Sequence, residues 1–172
     1  MERLLADVPD FPAEGVVFKD VTPLLADPEA FALVVDALAD AGRDADGRVV
    51  VDRVVGMEAR GFLFGTPVAQ RLGVGFAPVR KAGKLPRAVH EVDYALEYGT
   101  ATLALHEDAV RPGERVLVLD DVLATGGTAA ATRTLVERCG GVVAGYAFLL
   151  ELTFLPGRAQ LGEADVLVLS EV

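Results

Sequence analysis

The segment Val116–Thr128 constrains this chain more than any other. A continuous apolar run, Val116-Leu117-Val118-Leu119, leads into Asp120-Asp121 and then Val122-Leu123-Ala124-Thr125-Gly126-Gly127-Thr128, after which an alanine-rich helix is expected to about Arg138. An apolar run without polar alternation reads as a strand covered on both faces, so the segment predicts an α/β fold. In open α/β sheets ligands gather beyond the carboxyl ends of the strands. A helix N-terminus placed there offers unpaired N–H groups and a positive dipole end. Gly126 and Gly127 let the backbone curl close to an anion, and the hydroxyls of Thr125 and Thr128 can donate to its oxygens. Thr125 to Thr128 are therefore expected to cradle a phosphate.

Asp120 and Asp121 are neighbours, so in an extended chain their side chains point to opposite faces, one toward a ligand's sugar and one toward a metal shell or back into the protein. Carboxylates beside a phosphate loop suit sugar hydroxyls, although an Asp-Asp pair can equally cap the helix that follows. The loop is not a nucleoside-triphosphatase loop, because G-x-x-x-x-G-K-[ST] is absent. Gly73-Val74-Gly75 lacks the third glycine of a dinucleotide fingerprint and leads into a strand.

A phosphate ligand sets a problem for a chain whose formal net charge is -10 and whose pI is about 4.6. A few placed cations, backbone N–H groups or a divalent metal must hold it, and a nucleic-acid partner is not expected because the basic face it needs is missing. The 172 residues, 52% hydrophobic and 24% charged, suit one compact domain spanning 1–172. Cys139 is the only cysteine and there are two histidines, which argues against disulfides and transition-metal chemistry. No apolar run approaches the roughly 20 residues of a membrane helix and no leader pattern opens the chain, so a soluble, cytoplasmic protein is expected.

Elsewhere the segments alternate between helix and strand. Asp27-Pro28-Glu29 place an acceptor at an N-cap and proline in the first turn; Phe31, Val34, Val35 and Leu38 give that helix one apolar face, with Gly42 at its end. Val49 to Val55 reads as a buried strand, Gly61 to Leu72 as a second helix and Val74 to Val79 as a strand. Arg80 to Ala88, basic with a glycine and a proline, reads as the start of a mobile loop reaching about residue 95. Ala101, Leu103 and Leu105 mark a half-buried strand, Arg111 to Glu114 a turn.

The strand, acidic pair and T-G-G-T loop resemble the phosphoribosyl pyrophosphate motif of the type I phosphoribosyltransferases. Phe11-Pro12 to Leu25, Glu58-Ala59-Arg60-Gly61-Phe62, Arg80 to Pro86, Leu96-Glu97-Tyr98-Gly99 and Glu151-Leu152-Thr153 narrow the resemblance to the adenine enzymes of that family, over about Phe11 to Arg158. The resemblance implies a twisted, mainly parallel sheet flanked by helices, with a small N-terminal hood over about residues 1–26. It also implies transfer of a phosphoribosyl group from 5-phosphoribosyl 1-pyrophosphate to adenine, giving AMP and pyrophosphate, with Mg2+ held through substrate and water, in a homodimer.

By the same resemblance, Ala124, Thr125, Gly126, Gly127 and Thr128 hold phosphate and Asp120 and Asp121 hold ribose. Glu58, Ala59, Arg60 and Lys81 face the pyrophosphate, with a non-proline cis peptide between Glu58 and Ala59. Val17 and Lys19 read adenine's edge through their backbone and Phe18 packs on its face. A hood of fixed donors and acceptors discriminates well, since the wrong purine leaves a buried mismatch. Lys84 and Arg87 lie on the closing loop, Tyr98 shields the ribose, and Glu97 assists proton movement on adenine as the catalytic residue. The chain departs from the family at Ala88 to Asp93, which lacks the usual small polar residues. His90 there is read as solvated, and neither it nor His106, at a strand end, is expected to be catalytic.

Overall fold

The computed structural model describes residues 4–95 and 100–172. Its centre is a seven-stranded sheet in the order β5-β6-β4-β3-β7-β8-β9, where β3 is Arg53–Met57, β4 Gly75–Lys81, β5 Val89–Ala95, β6 Thr100–His106, β7 Arg115–Leu123, β8 Val142–Glu151 and β9 Asp165–Glu171. The pairs β3–β4, β3–β7, β7–β8 and β8–β9 are parallel, while β6 runs antiparallel to both β4 and β5. The mainly parallel α/β sheet expected from the apolar runs is present.

Among the described residues four α-helices accompany it: α1 (Thr22–Ala26), α2 (Pro28–Ala39), α3 (Gly61–Leu72) and α4 (Gly127–Arg138). Helix α2 starts where its sequence signal places it, with the Asp27 carboxylate accepting from Glu29 N and Ala30 N. It stops at Ala39, and a 3-10 turn, Asp40–Gly42, carries the chain on to Gly42. Helices α3 and α4 lie on opposite faces of the sheet, and the alternation along the strands shows why both can be covered. In β7, Val116 and Val118 pack with α4 residues Leu135 and Val136, while Leu117 and Leu119 face α3 residues Phe64 and Val68. In β8, Tyr146 and Phe148 stack on the first side, and Ala147 and Leu149 pack on the second. Each fully buried large side chain of this kind contributes about 1.5–3 kcal/mol relative to exposure.

Three segments differ from the sequence reading. The strand expected over Val49 to Val55 begins only at Arg53, because the stretch before it makes a tight turn in which Val49 bridges Arg43 and the Asp44 carboxylate accepts from Asp46 N and Arg48 N. Strand β4 runs on through Arg80 and Lys81, which pair with Ala104 and Leu103 of β6. The loop expected from Arg80 to about residue 95 is mostly not a loop. Its second half is β5, paired in register with all of β6 from Val89↔His106 to Ala95↔Thr100. Period-2 alternation explains the strand: Val92 and Tyr94 pack against the core while Glu91 and Asp93 are exposed.

Apart from the main sheet, β1 (Ala6–Pro9) and β2 (Val17–Asp20) form an antiparallel hairpin with Val8 opposite Phe18. The Phe11-Pro12 peptide between them is cis.

Candidate active site

The sheet reverses its winding between β3 and β7. From β3 the chain crosses through α3 on one face, and from β7 it crosses through α4 on the other, so the turns after these neighbouring parallel strands splay apart and leave a crevice. Glu58-Ala59-Arg60 follows β3, and Ala124-Thr125-Gly126 follows the end of β7. Strand β7 continues through the acidic pair to Leu123, four residues beyond the apolar run, which makes Asp120 and Asp121 strand residues. They do not cap α4. The N-cap of α4 is Gly126, and among the described residues no side chain satisfies the amides of its first turn, which leaves them available to an anion.

A cavity of about 320 Å³ occupies the crevice, bounded by Val17, Phe18 and Lys19 from the hairpin, Glu58, Ala59 and Arg60 from the first turn, and Asp120, Asp121 and Ala124 from the second. A recess of about 60 Å³ adjoins it, lined by Asp120, Ala124, Thr125, Gly126 and Thr128. Gly127 borders a separate groove together with Thr125 and Tyr94. Residues from three distant parts of the sequence thus converge where the apolar strand predicts a ligand site.

Within the cavity Arg60 is the organising cation. Its Nε lies 2.9 Å from Asp121 Oδ2, in ionic contact but off the line of a hydrogen bond, and its Nη1 is buried without an acceptor among the described residues. The guanidinium also sits 4.8 Å from the centroid of the Phe18 ring, and Phe18 meets Phe11 edge-on at 5.1 Å. Burial pushes the Asp120 carboxyl well above its ordinary value, and the neighbouring Asp121 charge adds to this, while Arg60 opposes it. Asp121 is raised as well, again by burial first, with Arg60 as the main opposing influence. Helix α3 approaches closely at Gly61: a Cβ there would stand 2.8 Å from Asp120 Oδ1 and 3.0 Å from the Leu119 carbonyl, so only glycine lets the helix start so near the acidic pair.

The peptide between Glu58 and Ala59 is cis. The Glu58 carboxylate accepts through Oε2 from Arg80 Nε and from Lys81 N, both at 3.0 Å, and so ties the turn to the end of β4. Lys19 Nζ pairs with Asp7 Oδ1 at 2.5 Å. Lys81 and Lys84 are exposed and do not line the cavity, and Arg87 pairs with Asp108. Glu97 and Tyr98 lie outside the described residues. His90 is a β5 strand residue opposite Leu105, and His106 ends β6, its carbonyl accepting from Cys139 Sγ. Val16, Val122 and Leu152 also line the cavity, although the sequence reading assigned them no role. Leu152 could have been found by position, since it is the first residue beyond the carboxyl end of β8, beside the β7 end. Among the described residues no three His, Cys, Asp or Glu side chains gather as a metal-binding group.

Comparison with known proteins agrees with this geometry. Residues 20–153 match the phosphoribosyl transferase domain family. An adenine phosphoribosyltransferase from Nocardioides sp. is 63% identical over 169 residues, covering 98% of this chain and 91% of the relative. The crystal structure of adenine phosphoribosyltransferase from Thermoanaerobacter pseudethanolicus superposes with a TM-score of 0.93 at 49% identity, covering 99% of this chain and 97% of that one. The Saccharomyces cerevisiae enzyme, complexed with an imino-altritol bisphosphate and adenine, superposes with a TM-score of 0.92 at 42% identity, covering 98% and 95%. With its crevice at the β3–β7 switch and its likeness running almost end to end, the chain belongs to the phosphoribosyltransferase family, among the adenine phosphoribosyltransferases.

Proposed function

We propose that this chain transfers the phosphoribosyl group of 5-phosphoribosyl 1-pyrophosphate to adenine, forming AMP and pyrophosphate in purine salvage. The observation that carries this reading is the single cavity in which the Val17–Lys19 edge, the Glu58–Arg60 turn and the Asp120-Asp121 pair meet beside an uncapped helix start. In the reaction the bond from the anomeric carbon to pyrophosphate breaks, the bond from that carbon to N9 of adenine forms, and the ring loses its N9 proton.

The roles are those that the family resemblance implies for these residues. Backbone N–H groups of Thr125 to Thr128 and the two threonine hydroxyls hold the 5-phosphate, with Ala124 at the mouth of their recess. Asp120 and Asp121 accept from the ribose hydroxyls. Arg60, whose Nη1 lacks an acceptor among the described residues, donates to the departing pyrophosphate, and Lys81, on an exposed strand end, also reaches it. The hairpin edge at Val17 and Lys19 reads adenine and Phe18 packs on its face. By the resemblance, Lys84 and Tyr98 act as loop residues and Glu97 takes up the ring proton.

Mg2+ is the expected cofactor, bound largely by substrate oxygens and water. Such binding needs few protein ligands, and the oxygen-only carboxylate pair fits as its outer partner. When bound, it neutralises charge on the leaving pyrophosphate. We further read the protein as a cytoplasmic homodimer without nucleic-acid or membrane partners; no described helix is long and apolar enough to cross a membrane.

The test is AMP formation from 5-phosphoribosyl 1-pyrophosphate and Mg2+ with adenine, hypoxanthine, guanine or xanthine supplied separately, for the native chain and Glu97→Ala. Turnover with adenine alone, much reduced in the variant, is expected. Turnover with another base would sink the assignment of the hairpin as adenine reader, and tight substrate binding without turnover would make the chain a sensor rather than an enzyme.

A further inference from the structure

Directly behind the Ala124–Gly126 turn lies a second element that no ligand-facing role explains. The chain leaves β8 at Glu151, passes Leu152, whose N–H donates to the Leu123 carbonyl at 2.9 Å, and forms the 3-10 turn Gly157–Gln160. That turn and the Ala124–Gly126 turn interlock backbone to backbone. A Cβ on Gly157 would stand 2.1 Å from the Ala124 carbonyl oxygen, and one on Gly126, where φ is +80°, would stand 2.4 Å from the Gly157 carbonyl oxygen. Neither contact ends on a flexible side chain, so neither turn has room to shift.

The 3-10 turn is fastened to the sheet by an ion pair. Arg158 Nε donates to Glu151 Oε1 at 3.1 Å and Nη2 donates to Oε2, a two-pronged grip on a carboxylate whose side chain is only 8% exposed. Glu151 is the last residue of β8, directly opposite Leu123, the last residue of β7. The pair therefore anchors Gly157 relative to the strand end from which the Ala124–Gly126 turn departs. Just beyond, Leu161 is buried in the core and anchors the other side of the turn.

We propose that Glu151, Gly157 and Arg158 are positioning residues for the phosphoribosyl donor: they brace the backbone of Ala124–Gly126 in the conformation that receives the phosphate, without touching substrate themselves. The inference rests on the reading of Thr125 to Thr128 as the phosphate cradle. Its signature is selective. Loosening the brace weakens the phosphate end of the donor more than the hairpin edge at Val17–Lys19, a separate element of the fold, that reads adenine.

The experiment measures steady-state kinetics in both substrates, with AMP binding by calorimetry and thermal melting alongside, for Arg158→Ala, Arg158→Lys, Gly157→Ala and, as a direct probe of the cradle, Thr128→Val. Arg158→Ala and Gly157→Ala are expected to raise KM for the donor and Kd for AMP by about tenfold, with KM for adenine within about twofold, since small misplacements of a binding group are costly. Arg158→Lys, which keeps the charge but loses the fork, should recover part of the loss. An unchanged donor KM in Arg158→Ala beside a raised one in Thr128→Val overturns the brace alone. An unchanged donor KM in Thr128→Val overturns the cradle reading and the brace with it. Equal losses for both substrates, or a lowered melting temperature with native KM values, reduce Glu151–Arg158 to a stabilising ion pair and overturn the proposal as well.

Discussion

Arg60 Nε stands 2.9 Å from Asp121 Oδ2, on a side chain only 5% exposed, so the turn after β3 and the acidic pair of β7 are joined by a charge contact that spans the crevice. Because the contact is poorly aligned and Arg60 Nη1 has no acceptor among the described residues, the guanidinium is held near its place without being satisfied by them. This suits a cation whose acceptor arrives with the substrate.

Arg60→Met should leave Asp121 buried beside Asp120 with no cation to oppose their charges. A stability loss of about 1–3 kcal/mol at neutral pH is expected, discounted from a fully buried pair because Arg60 is partly exposed. Arg60→Met combined with Asp121→Asn should lose less than the sum of the single changes. Denaturant unfolding of the four proteins of this cycle measures the coupling, and strict additivity would show that the contact contributes nothing.

Asp120 gives a prediction of opposite sign. Burial and the neighbouring Asp121 raise its folded-state pKa, so between its unfolded and folded values the native chain holds a proton that the unfolded chain has lost. Stability therefore falls as pH rises through that window, and above it the full cost of a buried charge remains. Asp120→Asn should raise the neutral-pH stability by on the order of 1–2 kcal/mol, with the gain vanishing as pH falls below the ordinary carboxylate range. AMP formation should drop sharply in the same variant. A gain that persists at low pH would point to packing rather than charge.

Glu114 serves as the counterpart far from the crevice. Arg53 grips it through two hydrogen bonds, at 2.9 and 3.0 Å, and holds its carboxyl below the ordinary value. Its stabilising contribution is present above the unfolded pKa and is lost as pH falls through the folded one. Glu114→Gln should cost about 1–2 kcal/mol at pH 7, less in acid, with both KM values unchanged. Melting curves across pH, paired with kinetics, check this, and a raised KM would show that the base of β7 communicates with its far end.

How much of this was legible beforehand depended on whether the determining contacts are local. Helix α2 begins after Asp27 as read, because an N-cap, its proline and an apolar face are written within one segment, and α3 falls on Gly61–Leu72 as read. Strand β5 was hidden because its seven residues carry charges and a histidine, and only pairing with β6 makes their alternation meaningful. Of the crevice residues, Asp120 to Thr128 are legible from their place at the end of an apolar strand, whereas Val17 to Lys19 and Glu58 to Arg60 come only from the family resemblance. What sequence could not show was their mutual engagement: that Glu58 spends its carboxylate on Arg80 and Lys81, or that Arg60 bridges Asp121 and Phe18. Such contacts join residues tens of positions apart and depend on the parallel register of β3 with β4 and β7.

Phe18 tests the hairpin end of the cavity. Its ring is fixed between Phe11, met edge-on, and the Arg60 guanidinium, and it lines the space assigned to the base. Phe18→Ala removes a flat apolar face worth about 0.5–1.5 kcal/mol beyond its buried area, so KM for adenine should rise by about tenfold or more. The same change frees one side of Arg60, and a smaller rise in the donor KM should accompany it. Phe18→Tyr keeps the ring and should preserve the donor KM, which separates stacking on Arg60 from loss of the whole hairpin. If Phe18→Ala raises the donor KM alone, the ring serves only to hold Arg60, and the base must find its stacking surface elsewhere in the cavity.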